Sequence, residues 1–188
     1  MTFMRIRRPL FSLFTAPASV VAIALLSAAC APAYDWREVR SADGAVLALF
    51  PCKPQQQTRR VPLAGTEVEM SVVACDAERN AFALAGIDAG DPGRVTALLQ
   101  ELGAASARNI GADAAAASAA ALAVPGMTPN PAARRLLLRG QRPGGEAVQA
   151  QIALFARGTH AYQALVIGAA PPREAVANFL DSLKFDGG

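Results

Sequence analysis

Three cysteines and one histidine bound the chemistry open to this chain of 188 residues. His160 is the only imidazole, so a histidine-rich zinc site is excluded. A mixed site would have to gather Cys52, Cys75 and His160 from separate strands, and no C-x-x-C or H-E-x-x-H spacing occurs. A Ser-His-Asp hydrolase would need His160 as its base, yet there is no G-x-S-x-G elbow to present a serine. The glycines between Gly140 and Gly145 lack the lysine and spacing of a phosphate loop and read as a hairpin turn. Asp88 and Asp91 flank Gly90 as a carboxylate pair, but Asp91 stands before Pro92, where an aspartate caps a helix. His160 follows the turn Arg157-Gly158-Thr159 and is expected as a surface histidine beside it. No catalytic residue, metal ligand or cofactor site is therefore expected.

The third cysteine has a different context. Arg5, Arg7 and Arg8 begin the chain, an uncharged apolar run follows, and Leu25-Leu26-Ser27-Ala28-Ala29 leads into Cys30. A basic start, an apolar stretch and small residues before a cleavage point are the parts of an export signal. A cysteine directly after Ala28-Ala29 resembles the lipobox of bacterial lipoproteins, which implies lipidation of the Cys30 thiol. The usual leucine is displaced by one position, with Ser27 in its place. Two other outcomes stay open. Ordinary cleavage after Ala31-Pro32-Ala33 would remove Cys30, leaving a soluble periplasmic protein. An uncleaved anchor is opposed by Pro9 and Pro17, which interrupt the run. Arg7-Arg8 also resembles a twin-arginine signal. Ala31 after the cysteine resembles an outer-membrane sorting signal. The expected organisation is a signal peptide over 1–29, a tether over 30–43 and one domain over 44–186.

The formal charge of +3 belongs to the leader. Taking its three arginines from the eighteen Lys plus Arg leaves fifteen, equal to the fifteen Asp plus Glu. A neutral domain lacks the basic footprint that phosphate neutralisation demands, which argues against nucleic acid as a partner. Arg134-Arg135 with Arg139 and Arg142 is the nearest thing to a cluster and reads as solvent-facing arginines on a strand. Cleavage before Cys30 removes 29 residues and leaves 159, enough for one domain with its own core.

The elements that must position these residues are legible from periodicity. Residues 45–50 are an apolar run stopped by Pro51. Over 66–75, Val68, Met70, Val72 and Ala74 alternate with Glu67, Glu69 and Ser71, which predicts a strand with one wet face. Residues 81–87 are another strand, with Phe82 and Leu84 inward. Asp91-Pro92 opens a helix whose Val95, Leu98, Leu99 and Leu102 form one stripe. The alanine-rich stretch 104–123 favours helix but buries little area. Strands over 134–141, 146–156 and 159–168 follow, joined by short glycine-bearing turns. A last helix after Pro171-Pro172 repeats the stripe with Val176, Phe179, Leu180 and Leu183. The expected class is α+β, a largely antiparallel sheet flanked by two amphipathic helices. Trp36 is expected to pack on the domain edge.

Several landmarks of this pattern resemble the PsbP-like α/β/α sandwich. They are Phe50-Pro51, the tandem hairpin over 134–168 with Phe155-Ala156-Arg157-Gly158 and Tyr162, and the closing Phe179-Leu180-Asp181-Ser182-Leu183-Lys184-Phe185. The resemblance covers 45–185 and consists of structural landmarks. It implies a non-enzymatic scaffold or adaptor and brings no catalytic residue; its members include a lumenal photosystem subunit, a nuclear protein binding a small GTPase and bacterial lipoproteins. Two functional classes follow. One is a lipid-anchored binding domain facing the periplasm, with the membrane and a protein as partners. The other is a small-ligand carrier or hydrolase with its site near His160.

Cys52 and Cys75 are expected to form a disulfide, because two cysteines left in a small exported domain are normally paired. A hairpin of 55–61 with 66–74 around a four-residue turn, Pro62-Leu63-Ala64-Gly65, opposes residues whose numbers sum to 127, as 52 and 75 do. Cross-strand positions of that kind lie within disulfide range. The rival is a pair of buried reduced thiols, and Pro51 and Pro54 are the residues able to bend the first strand.

Overall fold

The structure, a computed structural model, describes residues 33–187. Cys30 and the expected signal peptide lie outside the described residues. Ten strands and two helices follow in order: β1 Arg37–Arg40, β2 Val46–Phe50, β3 Gln55–Leu63, β4 Thr66–Ala77, β5 Asn80–Asp88, α1 Pro92–Asn109, β6 Ser118–Ala120, β7 Arg134–Gln141, β8 Ala147–Arg157, β9 His160–Gly168, α2 Arg173–Asp181 and β10 Lys184–Phe185. Seven strands form one sheet in the order β3-β4-β5-β9-β8-β7-β6, and β1-β2-β10 form a second. Every neighbouring pair is antiparallel. The class is α+β.

Each face of the large sheet has its own apolar core, and β8 contributes to both. Its Val148, Ala150, Ile152, Leu154 and Ala156 cluster with Val95, Leu98, Leu99 and Leu102 of α1. Its Ala153 and Phe155 cluster with Phe82, Tyr162, Phe179, Leu180 and Phe50. Alternate residues of a strand point to opposite faces, so the cluster that holds α1 residues and the cluster that holds α2 and small-sheet residues draw on opposite sides of β8. Aromatic edge contacts tie the second layer together: Phe179 meets Phe50 at 5.0 Å and Phe82 at 5.6 Å between ring centroids. A buried polar link crosses the first layer, where Gln163 Nε2 donates to Ser106 Oγ at 2.7 Å.

The local signals placed the helices well. Asp91 caps α1 by accepting from the Gly93 amide at 2.8 Å, with Pro92 in the first turn. The alanine-rich stretch divides. Its first part continues α1 to Asn109, and Gly111, with φ of 59°, ends the helix. The remainder contains a short 3₁₀ turn at Ala114–Ala116 and the edge strand β6.

Three sequence expectations are corrected. Residues read as a tether over 30–43 include β1, which pairs with β2 from Arg37 opposite Phe50 to Arg40 opposite Leu47. The compact unit accordingly begins at Ala33, and Trp36 packs half-buried against the second core. On β4 the single wet face ends at Ser71. Val73 is buried while Val72 and Ala74 are half-buried, because the second core covers the opposite face from there on.

The third correction concerns the β3–β4 register. Gln55 opposes Ala74 and Leu63 opposes Thr66, so paired numbers sum to 129. The turn has two residues, Ala64 and Gly65, with φ of 49° and 76°, the left-handed pair that a tight hairpin requires. Pro62 sits within the ladder opposite Glu67. It is tolerated because β3 is the outermost strand, where a missing N–H need have no partner. The Cys52–Cys75 disulfide nevertheless forms, with 6.1 Å between Cα atoms. Cys52 lies beyond the last ladder pair, and the bend between Pro51 and Pro54 brings it to Cys75.

Candidate functional site around His160

His160 opens β9 and stands opposite Asp88 at the end of β5. The neighbouring pairs Gly86–Tyr162 and Ser71–Gly86 continue the same face of the sheet. The turn between β1 and β2, Ser41 to Gly44, overhangs this face and supplies Asp43. Together Asp43, Glu69, Ser71, Gly86, Asp88 and His160 line a shallow polar cleft of about 200 Å³.

Gly86 lets the Tyr162 ring approach closely. A Cβ there would lie 3.2 Å from Cε1 of Tyr162, so the missing side chain makes room for the ring. Tyr162 in turn donates its hydroxyl proton to Asp43 Oδ2 at 2.5 Å. The other Asp43 oxygen accepts from the Ser41 hydroxyl and from the Ala45 amide, the latter at 3.1 Å. His160 stacks at 6.1 Å from the Tyr162 ring. Its Nε2 is 4.0 Å from Asp43 and its Nδ1 is 3.9 Å from Asp88.

The electrostatics follow from those contacts. Burial pushes the Asp43 carboxyl up, but bonds from Ser41, Tyr162 and the Ala45 amide, with His160 nearby, outweigh it and hold its pKa below the ordinary aspartate value. Asp88 is also lowered, first by the Gly90 amide, then by the Thr159 hydroxyl and by His160. Tyr162 is raised by burial and by the Asp43 carboxylate beside it, so it is a neutral hydrogen-bond donor at neutral pH.

This arrangement can orient an imidazole between two carboxylates. The Ser41 hydroxyl bonds Asp43, the Ser71 hydroxyl bonds Thr58 at 2.9 Å, and the hydroxyl beside His160 Nδ1 is Thr159 at 3.3 Å. Among the described residues, no group of three His, Cys, Asp or Glu side chains is placed to hold a metal ion.

The residues singled out from sequence are thus dispersed. Cys52 and Cys75 are joined to each other, Asp91 caps α1, and Asp88 and His160 meet. Met70 packs partly buried against the first core and Met127 against the second. Arg134 and Arg135 fall on opposite faces of β7, with Arg139 on the face of Arg135. Asp43 and Tyr162 were not legible as partners, since their contact joins positions 119 residues apart. No protein-family model matches the chain, and no curated protein matches it.

Proposed function

We propose that the chain is an exported, lipid-anchored binding or adaptor domain without catalytic activity, built as a PsbP-like α/β/α sandwich. On this reading a lipid on Cys30 holds it to a membrane facing the periplasm, with the outer membrane favoured by Ala31. The observation that carries the reading is the filling of both layers between sheet and helices. Leu99 and Phe179, at the centres of the two helical stripes, are each 0% exposed. A partner must therefore meet the outer surface. The Cys52–Cys75 bridge supports an oxidising compartment.

A second reading, a small-ligand carrier or hydrolase, is favoured by one observation: the polar cleft holding His160. Asp43 argues against it, because its oxygens already fasten the β1–β2 turn to Ser41, Ala45 and Tyr162.

Intact-mass analysis of the mature protein tests the anchor. The expected N-terminus is an acylated Cys30, and Cys30→Ser is expected to leave the chain without lipid. Three acyl chains, as bacterial lipoproteins of this type carry, hold far more firmly than one. A mature N-terminus at Tyr34 with no lipid would establish plain secretion instead. In-cell cross-linking of His160→Ala separates the two readings. The adaptor reading expects the wild-type set of cross-linked proteins, whereas a ligand-dependent role expects that set to change.

A further inference from the structure

Arg135 and Arg139 of β7 share a face with Gln149 and Gln151 of β8, through the pairs Arg139–Gln149 and Leu137–Gln151. The first turn of α2 brings Arg173 to the same place, and these residues border a groove of about 550 Å³. Three guanidinium groups and two amides line it, and no carboxylate does. Arg135 is already neutralised by Asp181 at the far end of α2. Arg139 and Arg173 are exposed and belong to none of the ion pairs among the described residues. The start of α2 has no side-chain cap, so its free amides add positive potential to the same wall.

The position of this groove gives it meaning. It shares Ala170 with an adjoining cavity lined by Ala33, Tyr34, Arg79 and Arg142. That is where the chain enters the domain. Glu78 and Glu146 also line this second cavity, and Glu174 lies in the first turn of α2 without lining the groove. Four peptide steps separate Tyr34 from Cys30, a reach of at most about 15 Å. A lipid on Cys30 would therefore keep a membrane surface close to these arginines.

We propose that the groove between β7–β8 and the start of α2 seats anionic phosphate headgroups of the membrane to which the chain is anchored, fixing the domain's orientation there. This rests on the lipid-anchor reading. Guanidinium groups match phosphate oxygens geometrically, and basic side chains at an anionic surface are attracted within a Debye length. The two free arginines are the ones that give the groove its net charge.

Hydrogen exchange of the mature protein added to vesicles tests this, alongside its intact mass. The vesicles are phosphatidylcholine alone, or phosphatidylcholine with about 30 mol% phosphatidylglycerol. Amides of β7 around Arg139 and of the first turn of α2 are expected to exchange roughly thirtyfold more slowly with the anionic lipid, the factor matching about 1 kcal/mol for each of the two free arginines. The double variant Arg139→Gln/Arg173→Gln is expected to lose that difference with an unchanged thermal midpoint. Arg139→Lys/Arg173→Lys should keep most of it, and Arg59→Gln/Arg60→Gln, on β3, should keep all of it. Equal exchange on both vesicles with an acylated Cys30 would overturn this proposal alone. Protection that inorganic phosphate abolishes at constant ionic strength would assign the groove to a soluble phosphate and overturn it likewise. Lipid-dependent protection in a protein whose mass shows no acyl group would overturn the anchor reading and leave the groove assignment standing. Absence of both would overturn both.

Discussion

The hydroxyl of Tyr162 donates to Asp43 Oδ2 at 2.5 Å and so joins the two sheets of the domain. Tyr162 belongs to β9, near the middle of the seven-stranded sheet, and Asp43 to the turn of the β1–β2 hairpin. The hairpin is also attached through apolar contacts of Val46, Ala48 and Phe50, through its pairing with β10, through the Arg40–Asp186 and Glu38–Lys184 ion pairs and through the Leu49 amide, which donates to Ser182 Oγ. A directed bond at its tip fixes the angle at which those contacts close. His160 lies beside this bond, stacked on the Tyr162 ring and 4.0 Å from Asp43.

Tyr162→Phe should therefore loosen the hairpin tip without unfolding the protein. Losing a hydrogen bond to a charged group costs about 1.5–3 kcal/mol. The lower end is expected, because Ser41 and Ala45 still bond the carboxylate. Urea titration gives the stability, and exchange of the Ala45 and Val46 amides should rise more than that of β8. Uniform loss across the domain would mean that the bond does not act locally.

Asp43 also predicts a pH dependence. Its pKa is depressed in the folded protein, so the folded state binds fewer protons than the unfolded state in that range. The associated stability is present above the ordinary carboxyl pKa and is lost as pH falls through the depressed one. Asp88 adds to the same limb, since its pKa is lowered too. Stability of the wild type should fall on acidification below about pH 4, and Asp43→Asn should flatten that fall while lowering stability at neutral pH. An unchanged acid limb in Asp43→Asn would assign it to other carboxylates.

Removing the disulfide by Cys52→Ala/Cys75→Ala should cost about 3 kcal/mol in the chain-entropy view, for a sequence separation of 23. Cys52 lies outside the ladder, so the β3–β4 pairing should survive. Cross-strand nuclear Overhauser contacts between Gln57 and Val72 should then remain in the variant. Their loss would show that the bridge sets the register, which the tight Ala64-Gly65 turn is expected to set alone.

What was readable in the sequence was local or periodic. Asp91-Pro92 and the stripe from Val95 to Leu102 specify α1 within a dozen residues, and β7 could be bounded by its flanking breakers. The two-residue slip between β3 and β4 arose because a proline at 62 favours a turn in isolation, whereas an outermost strand accommodates it. The disulfide was anticipated correctly through an incorrect register, since Cys52 reaches Cys75 by a bend and not by lying opposite it. The His160 cleft needed β5 beside β9 and the β1–β2 turn above them. Those pairings depend on chain crossings that no short window contains. Arg139 and Arg173 likewise meet only after α2 docks.

Leu99→Ala and Phe179→Ala should each cost about 2–5 kcal/mol, because both side chains are fully buried, one in each layer. The two substitutions lie in different clusters across the sheet and should be nearly additive in urea titrations. A strong coupling between them would mean that the layers respond as one core.

Gly140→Ala offers the sharpest test of how α1 is joined to the sheet. Gly140 lies in β7, and a Cβ built on it would stand 2.0 Å from the carbonyl oxygen of Ile110, just past the end of α1. That oxygen also accepts the Gln141 amide at 2.7 Å. A single methyl group would thus meet backbone, which cannot swing aside as a flexible side chain can, and relief would require Ile110 to move and break the Gln141 bond. Overpacking costs about 1–3 kcal/mol, and the lost backbone bond brings the expectation to the top of that range. Gly144→Ala, where a Cβ meets nothing within 4 Å, is the matched control and should change stability by less than about 0.5 kcal/mol. Equal stability of the two variants in urea titrations would show that the end of α1 does not press against β7 as described.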